Sequence, residues 1–289
     1  MTNGTPVIFG EALFDCFEDD QQIPGGAPFN VAWHLQALGD APRFVSRVGD
    51  DAAGHQIKSA MREWGMSTAE VQTDSLHPTG QVRVHLEAGE PHYLICENSA
   101  YDFIEPPDLQ ATTQAPLLYH GTLALRNHES REALRLFLDT CKCPVFTDIN
   151  LRTPWWDLAS VQNWLERARW CKLNQQELAD IGFSSGDYEQ NLASLQERFQ
   201  LEQVILTRGD EGAVVRMADG RTFDQSAVTP PRIVDSVGAG DAFTAMYIHG
   251  LLADWPIADT LGKAQQFASA VLGQRGAIPK DRSFYEKFL

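Results

Sequence analysis

Asp235-Ser236-Val237-Gly238-Ala239-Gly240-Asp241, followed at once by Ala242-Phe243-Thr244-Ala245-Met246, is the stretch on which the reading of this chain turns. Two glycines bracket an alanine, and an apolar run with helical spacing begins directly after them. That is the pattern of a tight loop feeding a helix N-terminus. Glycine tolerates positive φ and lets the backbone approach a ligand closely. The first turn of a helix offers unpaired N–H groups and the positive end of its dipole, which together make an anion site. A carboxylate such as Asp241 would repel a phosphate bound there unless it has a task. Orienting or deprotonating an attacking hydroxyl is such a task. The plainer reading is that Asp241 only complements the helix dipole. No Gly-Lys-Ser/Thr follows, so the loop is not a Walker A motif, and it lacks the third glycine of a dinucleotide fingerprint.

Bulk properties narrow the field. A chain of 289 residues can bury a sizeable core, and 43% hydrophobic with 21% charged residues is ordinary for a globular protein. The net charge of −16 argues against nucleic acid or an anionic membrane as partner. It leaves a nucleotide open, because a local anion hole and a bound cation overcome a global field. Cys16, Cys96, Cys141, Cys143 and Cys171 are odd in number and scattered, which favours reduced thiols over a disulfide framework. With no secretory-type leader and no apolar run near the roughly 20 residues of a membrane span, the expectation is a soluble, cytoplasmic protein.

Along the chain, 6–10 reads as a buried strand ended by glycine, and 12–17 continues extended with Asp15 set among apolar residues. Pro24-Gly25-Gly26-Ala27-Pro28-Phe29-Asn30 then makes a turn with close backbone approach. The following helix carries Asn30 in its first turn and stops at Gly39. A strand over 43–49 and a helix capped by Asp50 or Asp51 and closed by Gly65 give a β-α-β-α rhythm, that of a mainly parallel sheet covered on both faces. The rhythm breaks at 79–103, where period-two alternation, a turn at 88–91 and a returning strand read as an inserted hairpin. Such a hairpin is a lid, a dimer surface or a decorative edge. His85 and His92 read as surface histidines.

The rhythm resumes with a strand at 117–120, a helix over 128–140, a strand at 144–152 and a helix over 160–169. Next come a strand at 170–173, a helix over 188–199, and strands at 203–207 and 213–217. Helices over 242–253 and 257–272 close the series, before Arg275-Gly276-Ala277-Ile278-Pro279. The expectation is one α/β domain over 1–289 with lid strands at about 11–24 and 79–103.

Polar clusters sit where strands end or helices begin. Asp15, Gly25, Gly26 and Asn30 offer a carboxylate and an amide suited to sugar hydroxyls. Arg152 offers a cation for a phosphoryl or anionic sugar group, or a surface ion pair. Asn174-x-x-Glu177 is a helix cap with a solvated acid, or an outer shell for hydrated Mg²⁺. Thr207-x-Gly209, with Gly212 beyond, is a second glycine-rich strand end, or an ordinary hairpin turn.

Taken in this order, the double-glycine segment 25–30, Asn174-x-x-Glu177, the loop 235–241 and Arg275-Gly276-Ala277 resemble the ribokinase-like carbohydrate kinases, the PfkB family. The resemblance covers nearly the whole chain. It implies a three-layer α/β fold with a mainly parallel central sheet and a small β-strand lid, and an ATP-dependent sugar kinase. In that family the residue matching Asp241 is the base towards the sugar hydroxyl, and the amides of Gly238, Ala239 and Gly240 form the anion hole. Asp15, Gly25, Gly26 and Asn30 would bind sugar, with Arg152 between sugar and phosphate. Asn174 and Glu177 would hold the Mg²⁺–phosphate network through water. Thr207, Gly209, Gly212 and Gln265 would line the nucleotide site. Backbone near Asp235, Val237, Gln274 and Gly276 matches a monovalent-cation (K⁺) site, and the lid would permit a homodimer. Gly10-Glu11-Ala12-Leu13-Phe14-Asp15 and Gly-Gly-Ala-Pro-Phe-Asn look like the fructokinase branch. Ser236 replaces a commoner threonine, and Ala27-Pro28-Phe29 replaces the Lys-Gly-Ala of ribokinases. A 2-keto-3-deoxygluconate kinase, a ribokinase and a non-catalytic sugar sensor stay open, whereas an NAD-dependent oxidoreductase lacks its glycine spacing.

Overall fold

The computed structural model describes residues 4–17, 21–87, 90–107, 115–230 and 232–289, and of residues 84–87 and 90–93 the backbone alone. Residues 88 and 89 of the expected turn, residues 18–20 within the expected lid, and the side chains of His85 and His92 therefore lie outside the described residues. The chain begins with β1 (Val7–Phe9), and Gly10, at φ +149°, turns it away from the plane of that strand. Then follow β2 (Leu13–Phe17), β3 (Gln22–Gly25), α1 (Ala27–Ala37), β4 (Arg43–Gly49), α2 (Ala52–Trp64) and β5 (Val71–Asp74). The expected hairpin is β6 (Gly80–Glu87) and β7 (Glu90–Ile95). After β8 (Leu118–His120) come α3 (His128–Cys141), β9 (Val145–Asp148), α4 (Leu158–Leu165), β10 (Trp170–Asn174), α5 (Gln175–Asp180) and α6 (Tyr188–Phe199). The chain continues through β11 (Gln203–Thr207), β12 (Ala213–Met217), β13 (Thr222–Gln225), α7 (Ala239–Leu252) and α8 (Ile257–Leu272).

Successive strand residues point to opposite faces, and here both faces are apolar. Ile8, Phe44, Tyr119 and Phe146 enter a layer with α1, α2, α7 and α8. Their neighbours Val7, Phe9, Val45, Leu118 and Val145 enter the opposite layer with α3. Further along, Val204, Leu206 and Val214 pack on α4 to α6. Strands buried on both sides are the condition for a parallel sheet between two helical layers. The strands hydrogen-bond in the order β13-β12-β11-β10-β9-β8-β1-β4-β5, parallel except where β12 pairs with β11 and with β13. Helix α7 packs between α1 and α8 and buries eight of its residues, which is why its sequence is apolar nearly all round.

A second sheet, ordered β3-β2-β6-β7, projects from the first. Asp15 lies on β2, an inner strand of it. Strands β5 and β13 carry too little apolar alternation to be read from sequence. The helix expected over 160–169 runs Leu158–Leu165: Asp157 caps it by accepting the Ser160 amide at 2.9 Å, and the Arg169 amide is already joined to the Val145 carbonyl at 2.9 Å. The helix expected from 242 begins at Ala239, since the Ala242 amide reaches the Gly238 carbonyl at 2.8 Å. Among the described residues no disulfide forms and no helix is long and apolar enough to cross a membrane.

The root of the second sheet is tied to the first by Asp51. Its carboxylate caps α2 by accepting the Gly54 amide at 2.7 Å, and it also accepts the Thr79 amide at 2.8 Å and the Thr79 hydroxyl at 2.7 Å, one residue before β6. Burial opposes its charge, but the Thr79 and Gly54 donors win and hold its pKa below the ordinary range. Asp51→Ala should cost about 2 kcal/mol, more than a helix cap alone, because Thr79 also loses its acceptor. Urea unfolding at pH 7 checks this, and a loss below about 0.5 kcal/mol would mean the tie carries no weight.

Candidate active site

Strand order reverses between β1 and β8: from β1 the chain adds β4 and β5 on one side, and β8 to β11 on the other. Open α/β sheets bind ligands at the carboxyl ends of the strands beside such a switch point. A cavity of about 570 Å³ lies there. Glu11 follows β1, Leu123 follows β8, Asn150 and Arg152 follow β9, and the second sheet contributes Leu13, Asp15, Val82 and Ile95. Of the residues singled out from sequence, Asp15, Gly26, Asn30, Arg152, Val237, Gly238, Gly240 and Asp241 all line this one cavity. Gly25 abuts it, since a Cβ there would sit 3.0 Å from the Asp15 carboxylate.

Two helix N-termini converge on the cavity. Gly26 is the N-cap of α1, and Gly238 is the N-cap of α7. Asn30, buried in α1, donates its amide to Asp241 Oδ2 at 2.8 Å and so joins the two helices. Asp241 is the third residue of α7, so its side chain stands beside the first, unpaired amides of that helix. Gly238 is required twice over: its φ is +80°, and a Cβ would sit 2.2 Å from that of Ala277. The loop therefore packs directly on Arg275-Gly276-Ala277. Gly240 differs, since the nearest atom to a Cβ there is Lys172 Nζ at 3.6 Å. Glycine at 240 keeps cavity space open.

The site is rich in carboxyl groups held away from water. Burial raises the Glu11 pKa to about 7, against the opposing pull of Arg152. Burial, then the charges of Asp241 and Asp235, raise Asp15 to about 6. Asp241 is also raised by burial, while the Asn30 donor and Lys172 restrain the shift. Beneath it, the Lys172 ammonium on β10 lies 3.1 and 3.0 Å from the two oxygens of the fully buried Asp148. Thr244 Oγ1 approaches Asp148 Oδ2 at 3.1 Å and the Gly240 carbonyl at 2.9 Å.

Arg152 is exposed and donates to its neighbour's carbonyl, that of Leu151, at 3.0 Å. Asn174 and Glu177 form a capping box, and the second Glu177 oxygen accepts the Leu151 amide at 2.9 Å. Asp235 accepts the amides of Val237 and Gly276, each at 3.0 Å, and Gln274 lies two residues from that contact. Thr207 ends β11 and its hydroxyl donates weakly to the Leu173 carbonyl at 3.4 Å. Gly209 and Gly212 lie in the β11–β12 connection at φ +58° and +100°. Gln265 is buried on α8. None of Thr207, Gly209, Gly212 or Gln265 lines the cavity that holds Asp241.

A family model described as pfkB family carbohydrate kinase matches residues 16–282. The chain belongs to the pfkB family of carbohydrate kinases. It is 29% identical to a fructokinase of Salmonella typhimurium, covering 97% of this chain and 98% of that one. It is 31% identical to a fructokinase of Klebsiella pneumoniae, covering 87% and 85%. A solved fructokinase from Vibrio cholerae O395, in fructose, ADP and calcium ion bound form, superposes with TM-score 0.81 at 23% identity over 99% of each chain. The three-layer fold is thus the ribokinase-like fold.

In this pfkB kinase, no three His, Cys, Asp or Glu side chains among the described residues group to hold a metal ion alone. Hydrated Mg²⁺ asks for less: it keeps several waters and uses one or two carboxylates beside substrate phosphates. Glu177 fits that looser role. Its two oxygens each accept one backbone amide, and a carboxylate has about four acceptor positions. Three residues at this cavity are not marked as site residues by the sequence: Glu11, Lys172 and the Asp148 that Lys172 pairs with. For Asp148 and Lys172 the available signal is a charged residue inside a short apolar strand, since such groups are seldom buried without a partner; Glu11 lies in the β1–β2 connection and carries no such signal.

Glu11 gives a pH test. Between the ordinary value of 4.5 and about 7 the folded kinase keeps a proton that the unfolded chain releases. The stability Glu11 contributes is therefore full below pH 4.5 and lost as pH rises through 7. Glu11→Gln cannot ionise, so the Tm of the variant relative to wild type should climb between pH 4.5 and 7.5. A pH-independent difference would contradict the burial.

Proposed function

We propose that this kinase transfers the γ-phosphoryl group of ATP to a hydroxyl of fructose, with Asp241 as the base. The observation that carries this is the placement of Asp241. Its carboxylate stands in the cavity at the N-terminus of α7 and is held by the Asn30 amide at 2.8 Å. Phosphoryl transfer needs alignment and charge stabilisation more than covalent chemistry. Asp15, Gly26 and Asn30 would hold the sugar, with Gly25 leaving room for the Asp15 carboxylate. Asp241 orients the acceptor hydroxyl and takes its proton late, as the new P–O bond forms. The amides of Gly238, Ala239 and Gly240 receive the charge on the transferring group, and Arg152 reaches it from the rim.

The nucleotide would extend from that loop towards Thr207, Gly209, Gly212 and Gln265. Asn174 and Glu177 would hold Mg²⁺ through water, where the ion neutralises phosphate charge. The Asp235 clamp on Val237 and Gly276 supports a K⁺ site built from backbone there and at Gln274. The second sheet would close over the sugar as a lid and could pair with a second copy, and the working compartment is the cytoplasm. Fructose is favoured by the names of the relatives and by Gly10-Glu11-Ala12-Leu13-Phe14-Asp15. The exposed Arg152 supports a second reading, an acid sugar such as 2-keto-3-deoxygluconate.

Purified protein with Mg²⁺ and K⁺ should consume ATP with fructose, and not with ribose, 2-keto-3-deoxygluconate, adenosine or no sugar. Turnover on the acid sugar alone would move the substrate to the second reading. Asp241→Asn should lower kcat at least about 100-fold with ATP binding nearly intact. Near-normal turnover in that variant would remove the base assignment.

A further inference from the structure

Lys172 is a buried lysine on an inner strand, 7% exposed, at the floor of the cavity that holds Asp241. Buried lysines are rare unless paired, and this one is paired on one side only. Both Asp148 oxygens lie at hydrogen-bond distance, yet an ammonium carries three donors. The open side faces the space above Gly240, where a Cβ would come within 3.6 Å of Nζ. Asp148 is itself held: Thr244, one turn along α7 from Gly240, sets its hydroxyl between Asp148 Oδ2 and the Gly240 carbonyl. Strands β9 and β10 and the first turn of α7 thereby fix one cation under the loop that ends at Asp241.

We propose that the Lys172 ammonium contacts the transferring phosphoryl group from the cavity floor, and that Asp148 and Thr244 are positioning residues that aim it there. This rests on the phosphoryl-transfer reading above. The cavity supports it by its charge balance. Carboxyl groups of Glu11, Asp15 and Asp241 line the space, and among the described residues Lys172 and Arg152 are the cations that line it. Arg152 is exposed, whereas Lys172 is fixed and shielded, and a preorganised donor out of water acts most strongly on developing charge. As the bond from phosphorus to the ADP oxygen breaks, its electron pair leaves with ADP. The sugar oxygen bonds to phosphorus, and its proton passes to Asp241. Lys172 stays protonated throughout and donates to a phosphoryl oxygen.

The test uses Lys172→Met, and the double variant Lys172→Met/Asp148→Asn, which removes both buried charges together if the single change fails to fold. Calorimetric titration with AMP-PNP and with ADP, each with Mg²⁺, reads whether the lysine meets the terminal phosphate. AMP-PNP should bind at least about tenfold more weakly, and ADP within about twofold of wild type. With fructose, kcat should fall about 100-fold or more while the sugar KM changes less than about threefold. Asp148→Asn should show the same split, smaller in size. Equal weakening of both nucleotides, or kcat within about threefold of wild type, overturns the proposal. Should wild type prove inert to every sugar, the fructose reading fails, and the AMP-PNP-against-ADP comparison alone decides on Lys172.

Discussion

The hydrogen bond from Asn30 to Asp241, 2.8 Å long across 211 residues of sequence, holds the site together. It fastens the start of α1 to the start of α7, the two helices whose N-termini open on the cavity. Each end depends on a glycine N-cap. A Cβ at Gly26 would meet the Glu11 carbonyl at 2.7 Å, and one at Gly238 would strike Ala277. The first glycine brings the β1–β2 connection against α1, and the second brings the C-terminal Arg275-Gly276-Ala277 turn against α7. Four distant segments therefore pack around the Asn30–Asp241 bond.

That convergence was legible because glycines in constrained conformations leave a mark in the sequence. The double glycine at 25–26 and the loop 235–241 both read as close-approach turns before helices. Lys172 and Asp148 left no such mark. Each lies inside a short apolar strand, and nothing in either segment says that parallel pairing sets Lys172 beside Asp148. Glu11 stood in view as part of a branch-specific pattern, but its burial depends on the turn at Gly10 away from the first sheet. The apolar pattern places the start of α7 at 242, three residues after its true start at Ala239, for a related reason: glycine is a poor helix former, so Gly240 masks a helical turn.

Asn174 and Glu177 show where a motif and its mechanics part. The helix cap is real, with both reciprocal bonds made, and it accounts for the i, i+3 spacing without any ion. The same carboxylate then reaches the Leu151 amide and steadies the segment that carries Arg152. A structural role and an outer-shell role for a hydrated cation are compatible, because the cap uses only part of the acceptor capacity of Glu177. The acidic groups that line the cavity follow another logic. Their burial, more than their mutual repulsion, raises the pKa values of Glu11 and Asp15. A carboxyl group donates as well as accepts only while it keeps its proton, which holds up to about pH 7 for Glu11 and about pH 6 for Asp15.

Catalysis as proposed requires that Asp241 face the acceptor hydroxyl. A crystal structure with fructose and AMP-PNP bound tests this directly. One sugar hydroxyl should lie about 3 Å from a carboxylate oxygen of Asp241, with the terminal phosphate between that hydroxyl and the amides of Gly238 to Gly240. A sugar seated elsewhere, or one whose hydroxyls all point away from Asp241 with the phosphate off the α7 N-terminus, would contradict it.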